Sequence, residues 1–318
     1  KSHNWNIGVD FGLLSNRIDG SIEWFTTKTK GLLFKRTLPV TTGNTGWGRP
    51  LDIWENLAET SNMGVEATIN SHNIKTKDFS WDTTLSFTWS KEKINSLPTG
   101  DLIKENLFEG QPIHALYDYK YAGIWGSNVP QETLDAYGVK PGWVKIETLD
   151  KDGDGGVHKY GEDDRQILGH TNPDVILGLN NTLTYKNFDL SIFAMARYGQ
   201  TIKSSLIGWY RASSNYSINQ PDYWTENNQG AYYPVPGSGD EQKVMSALTY
   251  RDGSFIKVKN ITLGYTLPQS VSRKVLMEKC RFYATAYNPF LYVKDKELRI
   301  LKRMVRMPSR CISSLYLV

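Results

Sequence analysis

The chain has 318 residues, 39% of them hydrophobic and 12% aromatic, and a mean hydropathy of −0.46. No run approaches the about 18 consecutive apolar residues of a membrane-crossing helix, which excludes a helical membrane protein but not a barrel whose strands turn half their residues to a wet lumen. The net charge of +4, part of it from a basic C-terminal stretch, gives no argument for nucleic acid, and Cys280 and Cys311 imply neither a disulfide framework nor a metal site.

The length suits two soluble domains or one large β domain. The chain opens at Lys1 inside a strand-like pattern and without a signal peptide, so it reads as an internal piece of a longer protein. Trp5, Ile7, Val9, Phe11 and Leu13 alternate with Asn4, Asn6, Gly8, Asp10 and Gly12. After a tight turn at Ser15-Asn16, Ile18, Ile22 and Trp24 alternate with Asp19, Ser21 and Glu23, which predicts a hairpin. A polar connection is expected over 37–60. Met63, Val65, Ala67 and Ile69 then lead through a turn near Asn73–Lys77 into Phe79, Trp81, Leu85, Phe87 and Trp89, which alternate with Ser80, Asp82, Thr84, Ser86, Thr88 and Ser90.

The hairpin over 172–199 is the most informative stretch. Val175, Leu177, Leu179, Leu183 and Tyr185 share one parity, and after a turn at Lys186-Asn187 the residues Leu190, Ile192, Ala194 and Ala196 share another. Period two means extended strands with one oily and one wet face. Each arm is about 10 residues, longer than the usual 5–6 and enough to cross a bilayer at a tilt. Tyr185, Phe188 and Tyr198 stand near the arm ends, where interfacial girdles belong. Farther on, 255–267 is strand-like with a parity shift between Val258 and Ile261 that suggests a bulge. A partly helical turn is expected over 268–279 and a last strand over 281–292. Short turns alternate with long excursions at 29–60, 127–171 and 200–250, the asymmetry of an outer-membrane barrel with long extracellular loops. The expected architecture is therefore all-β, an antiparallel transmembrane β-barrel. Asp19, Glu23, Asp82, Asp189 and Arg197 are assigned to the lumen, and the contrasting reading is a soluble all-β carbohydrate-binding module or glycoside hydrolase.

Asp150, Asp152 and Asp154 occupy positions 1, 3 and 5 of a calcium-type loop, with Gly155 at position 6 and Val157 at position 8. Position 12 is Gly161, so Asp163 or Asp164 closes the set only across a small insertion. Any bound calcium is expected to be structural, and the competing reading is a solvated acidic turn. Trp209, Tyr210, Tyr223, Trp224, Tyr232 and Tyr233 form an aromatic set on the long loops, suited to stacking on sugar rings or a partner protein, or to packing the loops together. The five histidines have no ligand spacing, and no hydrolase, zinc or phosphate-loop motif occurs, so catalysis has no support.

The chain resembles the SusC/RagA-type TonB-dependent outer-membrane transporters of Bacteroidetes. The stretches that carry the resemblance are Trp5–Gly12, Asn62–Glu66, Tyr119–Trp125, Asp150–Gly155, Asp163–Arg165, Ile167–Gly169, Asn172–Asp174, Phe188–Phe193 and Asp252–Tyr265, in family order. The resemblance implies that 1–293 is the C-terminal portion of a barrel of about 22 strands with a plugged lumen. It further implies import of an oligosaccharide or peptide, a SusD-like surface lipoprotein as lid, and energy delivered through TonB to a plug that lies outside this chain. A passive porin would need neither plug nor TonB. Residues 294–318 depart from the family: the tail is basic and lacks alternation, and reads as a shifted frame from about Leu298.

Overall fold

The structure is a computed structural model, described for residues 1–37, 45–46, 49–50, 52–98, 100–150, 153, 155–204, 222–236, 242–275, 277–295 and 298. Its strands are, in chain order, β1 (Ser2–Leu13), β2 (Ile18–Thr37), β3 (Thr45–Gly46), β4 (Arg49–Pro50), β5 (Asp52–Lys75), β6 (Phe79–Ser96), β7 (Ala115–Tyr119) and β8 (Tyr121–Ile124). There follow β9 (Val144–Ile146), β10 (Arg165–His170), β11 (Val175–Tyr185), β12 (Phe188–Tyr198), β13 (Thr201–Lys203), β14 (Tyr250–Asp252), β15 (Phe255–Thr266) and β16 (Arg281–Val293). The described residues also form two short α-helices, α1 (Gln131–Tyr137) and α2 (Gln269–Ser272).

The chain divides into two compact units. The first holds an antiparallel meander of eight strands in the order β1-β2-β5-β6-β11-β12-β15-β16. Three of its four links at one end are short. Three consecutive left-handed residues, Leu14, Ser15 and Asn16, turn β1 into β2, and Lys186 at φ 52° turns β11 into β12. The β15–β16 link contains α2, as its sequence suggested. The parity shift in β15 is a register break between Val258 and Asn260 on both sides of the strand.

One expectation is corrected. The polar stretch begun at 29 is not loop at either end. β2 runs on to Thr37, and β5 starts at Asp52, paired with it through two register breaks around Leu32. The ladder needs only backbone groups, so it continues past the point where side chains stop alternating in polarity.

Register confirms the two faces. One row joins Asp82, Thr182, Ser191, Thr262 and Thr285, and another joins Glu23, Glu66, Thr88, Ile176 and Arg197. The apolar face carries Leu85, Phe87, Val175 and Leu177, and none of these four is buried. Among the described residues of this unit, the buried apolar cluster is Ala58, Ile94 and Leu97, with Leu32, Leu102 and Leu107 around it, toward the long-connection ends of the strands.

The second unit comprises Ala115–Asn172 and Gln200–Asp252, which belong to the two long connections β6–β11 and β12–β15. It has an interior of its own, built on Tyr119, Val144, Ile146, Val244, Ala247 and Leu248, with a second cluster of Trp125, Leu134 and Val139. Buried Asp118 ties its elements together by accepting from Ser246 Oγ and the Tyr250 hydroxyl, both at 2.8 Å.

Candidate functional site: the apolar band and the loop unit

Aromatic residues bound the apolar face at both ends. At the short-turn end Phe79, Tyr185, Phe188, Tyr265 and Phe282 form one cross-strand row, with the Phe188 and Tyr265 rings 4.6 Å apart. At the other end the row Ile7, Trp24, Val65, Trp89, Val175 and Tyr198 contributes three aromatics. The rows are the full length of the 11-residue β11 apart, about 25 Å once strand rise and a barrel's tilt are applied, which matches the apolar band of an outer-membrane barrel.

Asn181 interrupts this face. It falls on the parity of Leu179 and Leu183, and its Oδ1 accepts from Trp81 Nε1 at 2.9 Å and Thr83 Oγ1 at 2.8 Å. Thr83 Oγ1 accepts in turn from Asn73 Nδ2 at 2.7 Å, and Asn73 Oδ1 accepts from Ser71 Oγ at 2.9 Å. Four polar side chains thus satisfy one another where lipid offers no partner. Sequence reading passed over Asn181 because the alternation around it was strong. The bulge that brings Asn73 to it, a register break between His72 and Ile74, has no sequence mark.

On the polar face the four acids assigned to the lumen find short-range partners. Asp189 holds Arg281 in a two-pronged pair, with Nε to Oδ1 at 3.1 Å, and Gly264 lies beneath it with no side chain in the way. Asp19 accepts from Asn70 Nδ2 at 2.9 Å, Glu23 from Asn6 Nδ2 at 3.3 Å, and Asp82 stands 2.5 Å from His72 Nδ1. Arg197 shares the row of Glu23.

Of the loop aromatics, Trp209 and Tyr210 lie outside the described residues. Trp224 is buried and packs on Gly142, where a Cβ would come within 2.7 Å of the indole. Tyr232 stacks on Tyr121 at 4.7 Å, meets Tyr233 edge-on at 5.2 Å and lies under the Arg251 guanidinium at 4.1 Å. Tyr223 is half-buried. Burial pushes the Tyr121 hydroxyl up to about 12 against the opposing pull of Arg251, and burial likewise pushes Tyr160 up to about 12.

Of the acidic loop, Asp152 and Asp154 lie outside the described residues, and Asp150 is exposed. Gly153 and Gly155 take left-handed φ values of 76° and 70°, the turn that Gly there was expected to allow. Asp164 is fully buried. One oxygen faces Leu149 N at 3.2 Å and His158 Nε2 at 2.8 Å, the other Gly161 N at 2.9 Å, so this carboxylate anchors the loop's two ends to each other.

The second unit also holds a pocket of about 230 Å³ whose wall includes Tyr137, Trp143, Lys159, Tyr160, Gln242 and Lys243. Trp143 carries Lys140 over its ring at 5.2 Å, and Tyr160 receives Trp125 Nε1 at 2.9 Å. Aromatic faces beside amine and amide groups suit a ring-bearing polar ligand. Sequence reasoning missed it because its walls come from segments about 100 residues apart, and the one local sign is the turn signal Pro141-Gly142 before Trp143.

A meander with an uncovered apolar face, two aromatic rows about 25 Å apart and long connections at one end only is the wall of an outer-membrane β-barrel. The model of the family described as TonB dependent receptor-like, beta-barrel, matches residues 1–288, and the chain belongs to that family. It is 32% identical over 303 residues to TonB-dependent receptor P3 of Formosa agariphila, covering 90% of this chain and 29% of that protein. It is 29% identical over 307 residues to TonB-dependent receptor SusC of Bacteroides thetaiotaomicron, covering 94% of this chain and 29% of that protein. Among solved structures the RagAB peptide transporter matches with a TM-score of 0.73 at 19% identity, over 92% of this chain and 32% of that one. The chain thus spans about three-tenths of the length of these relatives. The matched family places this chain in the wall of an outer-membrane β-barrel of the TonB dependent receptor-like type.

Proposed function

We propose that this chain supplies barrel wall and extracellular loops to an active importer of oligosaccharide or peptide. A SusD-like lipoprotein serves as its lid, and TonB drives a plug lying outside this chain. The observation that carries the reading is the second unit: two long connections of the meander fold into a structure with its own core and an aromatic pocket, as capture of cargo requires. The RagAB peptide transporter, whose fold this chain shares, speaks for the peptide class.

The test uses the full-length protein in its own outer membrane. Uptake of fluorescent oligosaccharides and peptides is measured with and without TonB and with Trp143→Ala. Uptake that needs TonB and weakens at Trp143→Ala supports the reading, whereas uptake indifferent to TonB points to a passive pore. A structural calcium held by Asp150, Asp152 and Asp154 belongs to the same proposal, supported by their spacing and the two left-handed glycines. Protease cleavage within 148–164 that accelerates on chelation and is restored by Ca²⁺ is the expected result, and chelation without effect refutes it.

A further inference from the structure

We infer that the outward face of β2 and β6 carries a binding site for a phosphate-bearing lipid headgroup of the outer leaflet, formed by Lys28, Lys91 and Lys93. Cross-strand register places all three on the apolar, lipid-facing side of the sheet. Lys91 shares a row with Met63, Thr26 and Trp5, directly beyond the row of Trp24 and Trp89. Lys93 and Lys28 share the next row, on either side of Ser61. Two and four residue steps beyond the aromatic row amount to about 5 and 10 Å of height in a tilted strand, where headgroup phosphates lie.

Spacing and charge agree with that occupant. Lys28 and Lys93 are two strands apart, about 10 Å, and Lys91 and Lys93 are two residues apart on one strand, about 7 Å. All three side chains are exposed, and none has a carboxylate partner among the described residues. The acid of this face nearest in register, Glu59, is held by Lys30 at 3.4 Å, one level farther out. The acids on neighbouring positions, Glu23, Glu66 and Glu92, point to the opposite face by strand parity. Three uncompensated ammonium groups at the edge of an aromatic belt select an anion that cannot leave that depth, and a lipid phosphate is one. Soluble anionic cargo would instead meet the lumen face or the loops.

The full-length transporter is reconstituted into phosphatidylcholine nanodiscs containing a few per cent of a diphosphorylated glycolipid or its dephosphorylated form, and lipids retained after detergent extraction are counted by native mass spectrometry. Each lysine near a membrane surface contributes about a fivefold preference. Retention of the phosphorylated form is therefore expected to exceed that of the dephosphorylated form at least about tenfold, and to fall about as far in the triple variant K28Q/K91Q/K93Q. The triple arginine variant is expected to keep it. Equal retention of the two glycolipids by the unaltered protein overturns the inference without reference to any variant. So does unchanged retention by a glutamine variant whose gel migration still shifts on heating. Failure with inorganic phosphate in solution alone is expected, since the belt supplies the depth.

Discussion

Gly64 offers the sharpest quantitative test of the barrel wall. It is buried in β5 on the polar face, cross-strand from Phe25 of β2, whose ring lies over it. A Cβ there would come within 2.4 Å of the Trp89 carbonyl oxygen and 2.6 Å of the Phe25 ring. Contact at about 3.2 Å requires the β6 backbone to retreat by roughly 0.8 Å, and that backbone is fixed by its ladder on both sides. Overpacking of this kind costs about 1–3 kcal/mol, while replacing glycine returns about 0.5–1 kcal/mol of chain entropy. Gly64→Ala in the full-length protein is therefore expected to destabilise by about 1–2 kcal/mol. The assay is urea unfolding in detergent followed by loss of heat-shifted gel migration. Gly230→Ala, where a Cβ meets nothing within 4 Å, is the matched control and is expected within about 0.5 kcal/mol of the unaltered protein. Adding Phe25→Leu is expected to recover only part of the loss, because the carbonyl clash remains. A Gly64→Ala protein as stable as the control would refute the packing argument.

Leu179→Lys, near the middle of the lipid-facing band, is expected to cost about 2–4 kcal/mol in bilayer-referenced unfolding, and Thr182→Lys on the lumen face under about 1 kcal/mol. Asp164→Ala leaves Leu149 N and Gly161 N without their acceptor and is expected to cost about 2–4 kcal/mol. Its readout is faster hydrogen exchange confined to 148–164, and unchanged exchange there refutes the anchoring role. Tyr121 and Tyr160 are raised by burial to about 12, so the folded unit holds its protons more tightly than the unfolded chain. Their contribution is whole below about pH 10 and declines as pH climbs from 10 to 12. Tyrosine absorbance of the Tyr160→Phe variant is expected to lack one late-titrating group.

Much of the wall was legible because the membrane imposes one rule on every residue of a strand. A side chain faces either lipid or water, so polarity repeats every two residues and the faces can be read without a partner strand. That is why the lumen set Asp19, Glu23, Asp82, Asp189 and Arg197 fell together on one face. The rule lapses outside the membrane, and there reading failed. The ladder continuing through Thr37 and from Asp52 looked like loop because its side chains no longer alternate. The loop aromatics could be named but not placed, since Trp224 and Tyr232 owe their packing to Gly142 and Tyr121, about 80 and 111 positions away.

By itself, then, the sequence determined that this chain forms long strands with an oily side, joined tightly at one end and loosely at the other. Only tertiary structure decided which residues stand in the same row. Register turned scattered aromatics into two belts and matched Asn181 to Trp81 and Thr83 inside the apolar face. It also set Lys28 two strands from Lys93. The physical reason is that alternation depends on each strand alone, whereas a row exists only once backbone hydrogen bonds have fixed how far neighbouring strands slide past each other.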